Sequence, residues 1–137
     1  MNRINEKIEE IEKYLQELSE IIPLNFDEYK DDFKTSAACE RYSEKIIGAI
    51  IDATFLIIKE NRFKIPEEEK QSFDILHEEK IISNELKERL KDAKGMRNIL
   101  AHEYGKIDDK IVFESIKDEL IFDAEEFIKQ IKKFIKK

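Results

Sequence analysis

Residues 46–58 read Ile46-Ile47-Gly48-Ala49-Ile50-Ile51-Asp52-Ala53-Thr54-Phe55-Leu56-Ile57-Ile58. Wound into a helix, this run is apolar almost all round, interrupted by Gly48, Asp52 and Thr54. A helix that is apolar on every side must be covered on every side, so it is the central helix of a bundle. The helix that contains it is predicted over residues 28–61, with Asp27 placed to cap it.

The flanking segments carry narrower apolar stripes. Ile4, Ile8, Ile11, Leu15, Leu18 and Ile22 alternate four and three apart and form a seam that Pro23 ends. A loop around Pro66 leads to a short helix at about residues 68–78. Ser83 opens the fourth segment, near a Ser-x-x-Glu capping pattern but with Leu86 at the third position. That helix is predicted to reach Ala101 or Tyr104, with Gly105 as a left-handed stop. The last helix starts near Asp109 and bears the stripe Phe113, Ile116, Leu120, Ala124, Phe127, Ile131 and Phe134. Its final turn is rich in lysine, which complements the helix dipole. The expected fold is all-α: an antiparallel up-and-down bundle of four long helices plus one short helix, in a single domain over residues 1–137.

Composition agrees. Ile, Leu, Glu and Lys dominate, with only three Gly and two Pro, and 41% of residues are hydrophobic, enough for a core. Cys39 is the single cysteine, which excludes an intrachain disulfide and fits a reducing compartment. Glu6, Glu9 and Glu10 stand where a signal peptide would be apolar, and no apolar run approaches the roughly 20 residues of a membrane span. A soluble, cytoplasmic protein with no membrane partner is expected. A net charge of −7 argues against a surface that coats nucleic acid broadly. Residues 84–106 run against that sign, with six Lys or Arg to four Asp or Glu.

Inside that segment lies Arg97-Asn98-Ile99-Leu100-Ala101-His102-Glu103-Tyr104. It gathers a fixed cation, an amide, a titratable imidazole and a phenol within about two helical turns. Arg offers a planar fork of donors to phosphate oxygens, and His exchanges a proton near neutral pH. Phosphodiester cleavage needs both, because charge builds on phosphorus while protons move at each end. The chain shows no Gly-rich phosphate loop, no Cys/His metal spacing and no Ser/His/Asp arrangement. No metal or cofactor is expected. His77, beside Glu78 and Glu79, reads as a surface or structural residue.

A helical wheel sharpens the question. With Leu86 as origin, Leu90, Ala93, Leu100 and Arg97 all fall within about 40° of it. Arg97 therefore sits in an apolar stripe, a costly place for a guanidinium unless it is paired or at an interface. Its stem could equally cover the core while its head reaches a carboxylate. His102 falls about 140° away from Arg97. To act on one atom, either the helix unwinds before His102, or Arg97 curls round, or a second subunit completes the site. Gly95 clears the His102 side for another backbone or a substrate. His102 alone also suits a capping role at a helix end. Asp52 is a candidate partner for Arg97 or Arg41, or a residue of a wet groove.

Arg-x4-His-x-Tyr with Asn98 after the Arg resembles the signature of HEPN-domain ribonucleases, and more narrowly the HepT-type toxins of type VII-like toxin–antitoxin pairs. Arg41-Tyr42 and Ile46–Ile58 resemble the family's second helix, Ser72-Phe73-Asp74-Ile75-Leu76 its third, and Gly95–Tyr104 the end of its fourth. The resemblance implies a homodimer with a composite groove and metal-independent cleavage of RNA. It implies Arg97 and His102 as catalytic residues, Asn98 as a positioning residue, and Tyr104 as the residue adenylylated by an MntA-like nucleotidyltransferase antitoxin using ATP. The rival reading is a non-catalytic helical scaffold or substrate-binding partner of such a nucleotidyltransferase, which the acidic surface favours.

Overall fold

The computed structural model describes residues 2–102 and 108–136, with the side chains of Asn2 and His102 outside the description. The chain is helical, as its periodicities require, and among the described residues there is no strand. Helix α1 is Asn2–Ile21, α2 Phe26–Asp31, α3 Phe33–Glu60, α4 Glu69–Glu78, α5 Asn84–His102, α6 Asp109–Glu114 and α7 Ile121–Ile135. A π-helical segment, Ser115–Leu120, joins α6 to α7 in one rod.

Helix α3 is central. It packs against α1, α2, α4, α5 and α7. Ile46, Ile47, Ala49, Ile50, Ile51, Ala53, Thr54, Ile57 and Ile58 are all buried. Thr54 is tolerated in this core because its hydroxyl donates to the Ile50 carbonyl at 2.9 Å. The seam of α1 behaves as its spacing predicts: Ile4, Ile8, Ile11 and Leu18 are buried, with Leu15 packed at the margin.

The predicted helix 28–61 is instead two helices. Asp32 is extended, and its carboxylate accepts from the Lys34 and Thr35 amides and from the Thr35 hydroxyl. An Asp that caps a new helix ends the preceding one. The break turns α2 toward α6, where buried Tyr29 meets Phe113 with ring centroids 5.0 Å apart. The cap of α2 is Asn25, which accepts from the Glu28 amide, and not Asp27.

Ser83 does cap α5, accepting from the Leu86 amide at 3.1 Å. The last rod starts at Asp109 as expected, with Asp108 as its cap, but it is not uniformly α-helical. The buried positions Ile116, Leu120 and Ala124 are spaced by two successive fours. On a regular α-helix these would drift by about 80°. The wider π turn, in which the Ile121 amide donates to the Ile116 carbonyl, keeps them on one face.

Candidate active site on helix α5

Leu86, Leu90 and Leu100 bury the inner face of α5 against the bundle. Arg97 lies on that same side, yet its side chain is 35% exposed. The reason is on α3. A Cβ placed at Gly48 would stand 3.6 Å from Arg97 Nη2 and 3.8 Å from Cζ. The guanidinium thus lies across a glycine, where the missing side chain leaves room for it beside the core. Its Nη1 is 3.9 Å from Glu69 Oε1, at the start of α4, and Lys94 Nζ lies 3.4 Å from the same oxygen.

Four of the five cations of α5 are tied to two carboxylates of α4, Glu69 and Asp74. Farther toward its N-terminus, Lys91 donates to Asp74 at 2.9 Å, with Lys87 at 3.9 Å. The hydrogen bond to Asp74 is the main reason the Lys91 ammonium titrates above its ordinary value. On the opposite flank Arg89 reaches Asp123 and Glu85 at 3.3 and 3.2 Å. Asp123 is buried, and that burial raises its carboxyl pKa, against the pull of Arg89.

Helix α5 remains helical through His102. The backbone thus keeps positions 97 and 102 about 140° apart around the axis. Unwinding ahead of His102 is excluded as a way of bringing them together. The Arg97 guanidinium is turned toward Gly48 and Glu69. Asn98 and Ile99 are exposed on the outer side of the helix. Gly95 is open there except for Lys70, whose Nζ would be 3.9 Å from an added Cβ. The His102 side chain, Tyr104 and Gly105 lie outside the described residues.

Two candidates are placed elsewhere. Asp52 meets neither Arg97 nor Arg41: it is 61% exposed and pairs with Lys7 at 3.4 Å, because its side of α3 opens toward α1. Arg41 is exposed and pairs with Glu44. His77 is structural, its Nδ1 lying 3.1 Å from the Ile82 carbonyl across the turn between α4 and α5. Gly48 and Glu69 were missed as parts of the Arg97 environment. A glycine within an apolar helical run is a signal for close packing, but nothing local says what packs there. Among the described residues no helix is long and apolar enough to cross a membrane.

Comparison with known proteins places the chain in a family. The Ribonuclease HepT-like family profile matches residues 5–136. The chain is 29% identical over 113 residues to a tRNA nuclease HepT of Aphanizomenon flos-aquae, spanning 82% of this chain and 77% of the relative. It is 30% identical over 105 residues to an mRNA nuclease HepT of Shewanella oneidensis, spanning 77% and 78%. Its fold superposes on a crystal structure of a toxin–antitoxin with AMP-PNP, with a TM-score of 0.88, 26% identity and coverage of 97% of this chain and 99% of that one. The tri-AMPylated HEPN toxin of Shewanella oneidensis, solved in complex with its MNT antitoxin, gives 0.87 at 27% identity, covering 95% and 96%. With the profile spanning nearly its whole length and the fold shared end to end, the chain belongs to the HepT-like ribonuclease family.

Proposed function

We propose that the chain is an endoribonuclease toxin acting as a two-fold homodimer, with Arg97 and His102 as its catalytic residues and the α5 helices lining the groove. One observation carries the dimeric site: α5 stays helical through His102 while Arg97 is committed to Gly48 and Glu69. A second copy of α5 across a two-fold axis offers the phosphate a further Arg97 and His102.

The chemistry uses the RNA's own 2′-hydroxyl. The 2′-oxygen attacks the adjacent phosphorus, the bond from phosphorus to the 5′-oxygen breaks, and a 2′,3′-cyclic phosphate and a 5′-hydroxyl result. One proton leaves the 2′-oxygen and another must reach the departing 5′-oxygen. His102 from the two protomers serves these ends as base and acid, and Arg97 stabilises the charge that gathers on the equatorial oxygens. Asn98 orients the imidazole or the phosphate. No metal takes part in these steps.

Tyr104 is the switch. Its phenolic oxygen attacks the α-phosphorus of ATP held by an MntA-like nucleotidyltransferase, pyrophosphate leaves, and the phenolic proton passes to a base. Each adenylate brings about one negative charge and a base into a groove that RNA needs open and positive. The kinship with a tri-AMPylated toxin held by its antitoxin supports this reading.

The deciding experiment incubates the protein with total RNA beside Arg97→Ala and His102→Ala. Each substitution should lower cleavage by about 10²–10⁴-fold with helicity intact. Cleavage by both variants at the wild-type rate, or loss of wild-type cleavage in EDTA, would sink the assignment. Light scattering that finds a monomer at micromolar concentration would remove the shared site.

A further inference from the structure

The first turn of α4 sends two side chains to α5 around Gly95. Lys70 hangs over Gly95 itself, its Nζ 3.9 Å from where a Cβ would be. Glu69 turns to the neighbouring flank and is shared by Lys94 at 3.4 Å and Arg97 at 3.9 Å. Lys94 and Arg97 thus share one carboxylate, and Lys70 stands beside Gly95 without joining them, in a chain whose net charge is −7. Lys70 has no ion-pair partner among the described residues. The Glu69 side chain is 45% exposed, so another anion can take its place.

Position along the helix says which anion. Gly95 and position 102 lie on one side of α5, about 20° apart around the axis and about 10 Å apart along it. That separation is too great for the Lys70 ammonium and residue 102 to serve the same phosphate. It suits a neighbouring group on the same strand.

We propose that Lys70 and Lys94 form a subsite for an RNA phosphodiester flanking the one that is cleaved, and that Glu69 holds Lys94 until RNA displaces it. The inference rests on the ribonuclease reading and adds a subsite that the Arg97–His102 motif does not contain. Contacts to phosphate position a nucleic acid without reading its sequence, so the subsite contributes affinity common to all targets.

The test measures binding of an RNA oligonucleotide to the full chain carrying His102→Ala, across a series of salt concentrations. Adding Lys70→Ala should weaken binding about twofold to fivefold, the range of an exposed ion pair. The slope of log affinity against log salt should fall by about 0.7, the value for one lost contact to a single strand. Lys70→Arg should restore both. Glu69→Gln should tighten binding, because it removes the competing anion. Lys13→Ala, at an exposed site on α1, should leave the slope unchanged. RNA that is cleaved by the wild type yet bound by the Lys70→Ala protein with an unchanged slope would overturn the subsite alone. A wild-type protein that neither binds nor cleaves RNA would overturn the ribonuclease reading with it.

Discussion

The guanidinium of Arg97 lies across Gly48, 3.6 Å from the point where a methyl group at position 48 would sit. This contact between α5 and α3 resolves an apparent conflict in the sequence, an arginine on the inner side of a helix. It also makes position 48 a control on the arginine. Gly48→Ala fits at ordinary contact distance and removes a glycine from a helix interior. It should stabilise the protein by up to about 0.5–1 kcal/mol in urea unfolding and keep RNA cleavage. Gly48→Leu fills the space the guanidinium occupies. Cleavage should fall about tenfold to a hundredfold with the circular dichroism spectrum unchanged. Full activity in Gly48→Leu would show that the placement of Arg97 over α3 does not matter.

Tyr104→Phe should keep ribonuclease activity, because the phenol carries no proton in the proposed cleavage. It should escape silencing by a cognate nucleotidyltransferase and ATP. Mass spectrometry after that incubation should find adenylate-sized additions on the wild type and none on Tyr104→Phe. An unmodified wild type, or a Tyr104→Phe protein silenced as fully, would refute the switch.

Arg89 and Asp123 set a pH dependence of stability. Burial holds the folded-state pKa of Asp123 above its ordinary value of 3.8, and Arg89 opposes that rise. A carboxyl whose folded pKa is raised favours folding fully below its unfolded value and loses that contribution as pH climbs through the folded value. Removing Arg89 raises the pKa further and leaves a buried carboxylate without its cation at neutral pH. Arg89→Ala should therefore cost about 1–3 kcal/mol near pH 7. The deficit should shrink as pH falls toward the ordinary aspartate range. Urea unfolding at several pH values reads this directly, and a deficit that grows in acid would contradict it.

Cys39 is fully buried, and burial pushes its thiol up to about 11. The reactive species is the thiolate. The native protein should resist thiol reagents at neutral pH over hours, while the urea-unfolded chain reacts within minutes. Rapid modification of the native protein would mean that α3 opens locally around Cys39.

Features that depend on short-range periodicity are legible in the sequence alone. The all-round apolar run 46–58 identified the central helix, the four-and-three stripes identified α1 and the last rod, and Ser83 marked the start of α5. These patterns are legible because burial repeats at the period of the helix, whatever the neighbour is. The motif from Arg97 to Tyr104 was equally local, and the wheel already set Arg97 against its apolar surroundings.

Which groups meet follows from the packed fold. Asp32 is an ordinary helix residue by composition; it became a cap because the break lets Tyr29 turn onto Phe113. The π turn at Ser115–Leu120 answers a core that needs Ile116, Leu120 and Ala124 on one face. Asp52 faces Lys7 and Glu69 faces Arg97, although both acids were equally available in the sequence. The physical reason is that a charge finds its partner by the crossing of helices. The crossing is set by the packing of the whole core, and no local period records it.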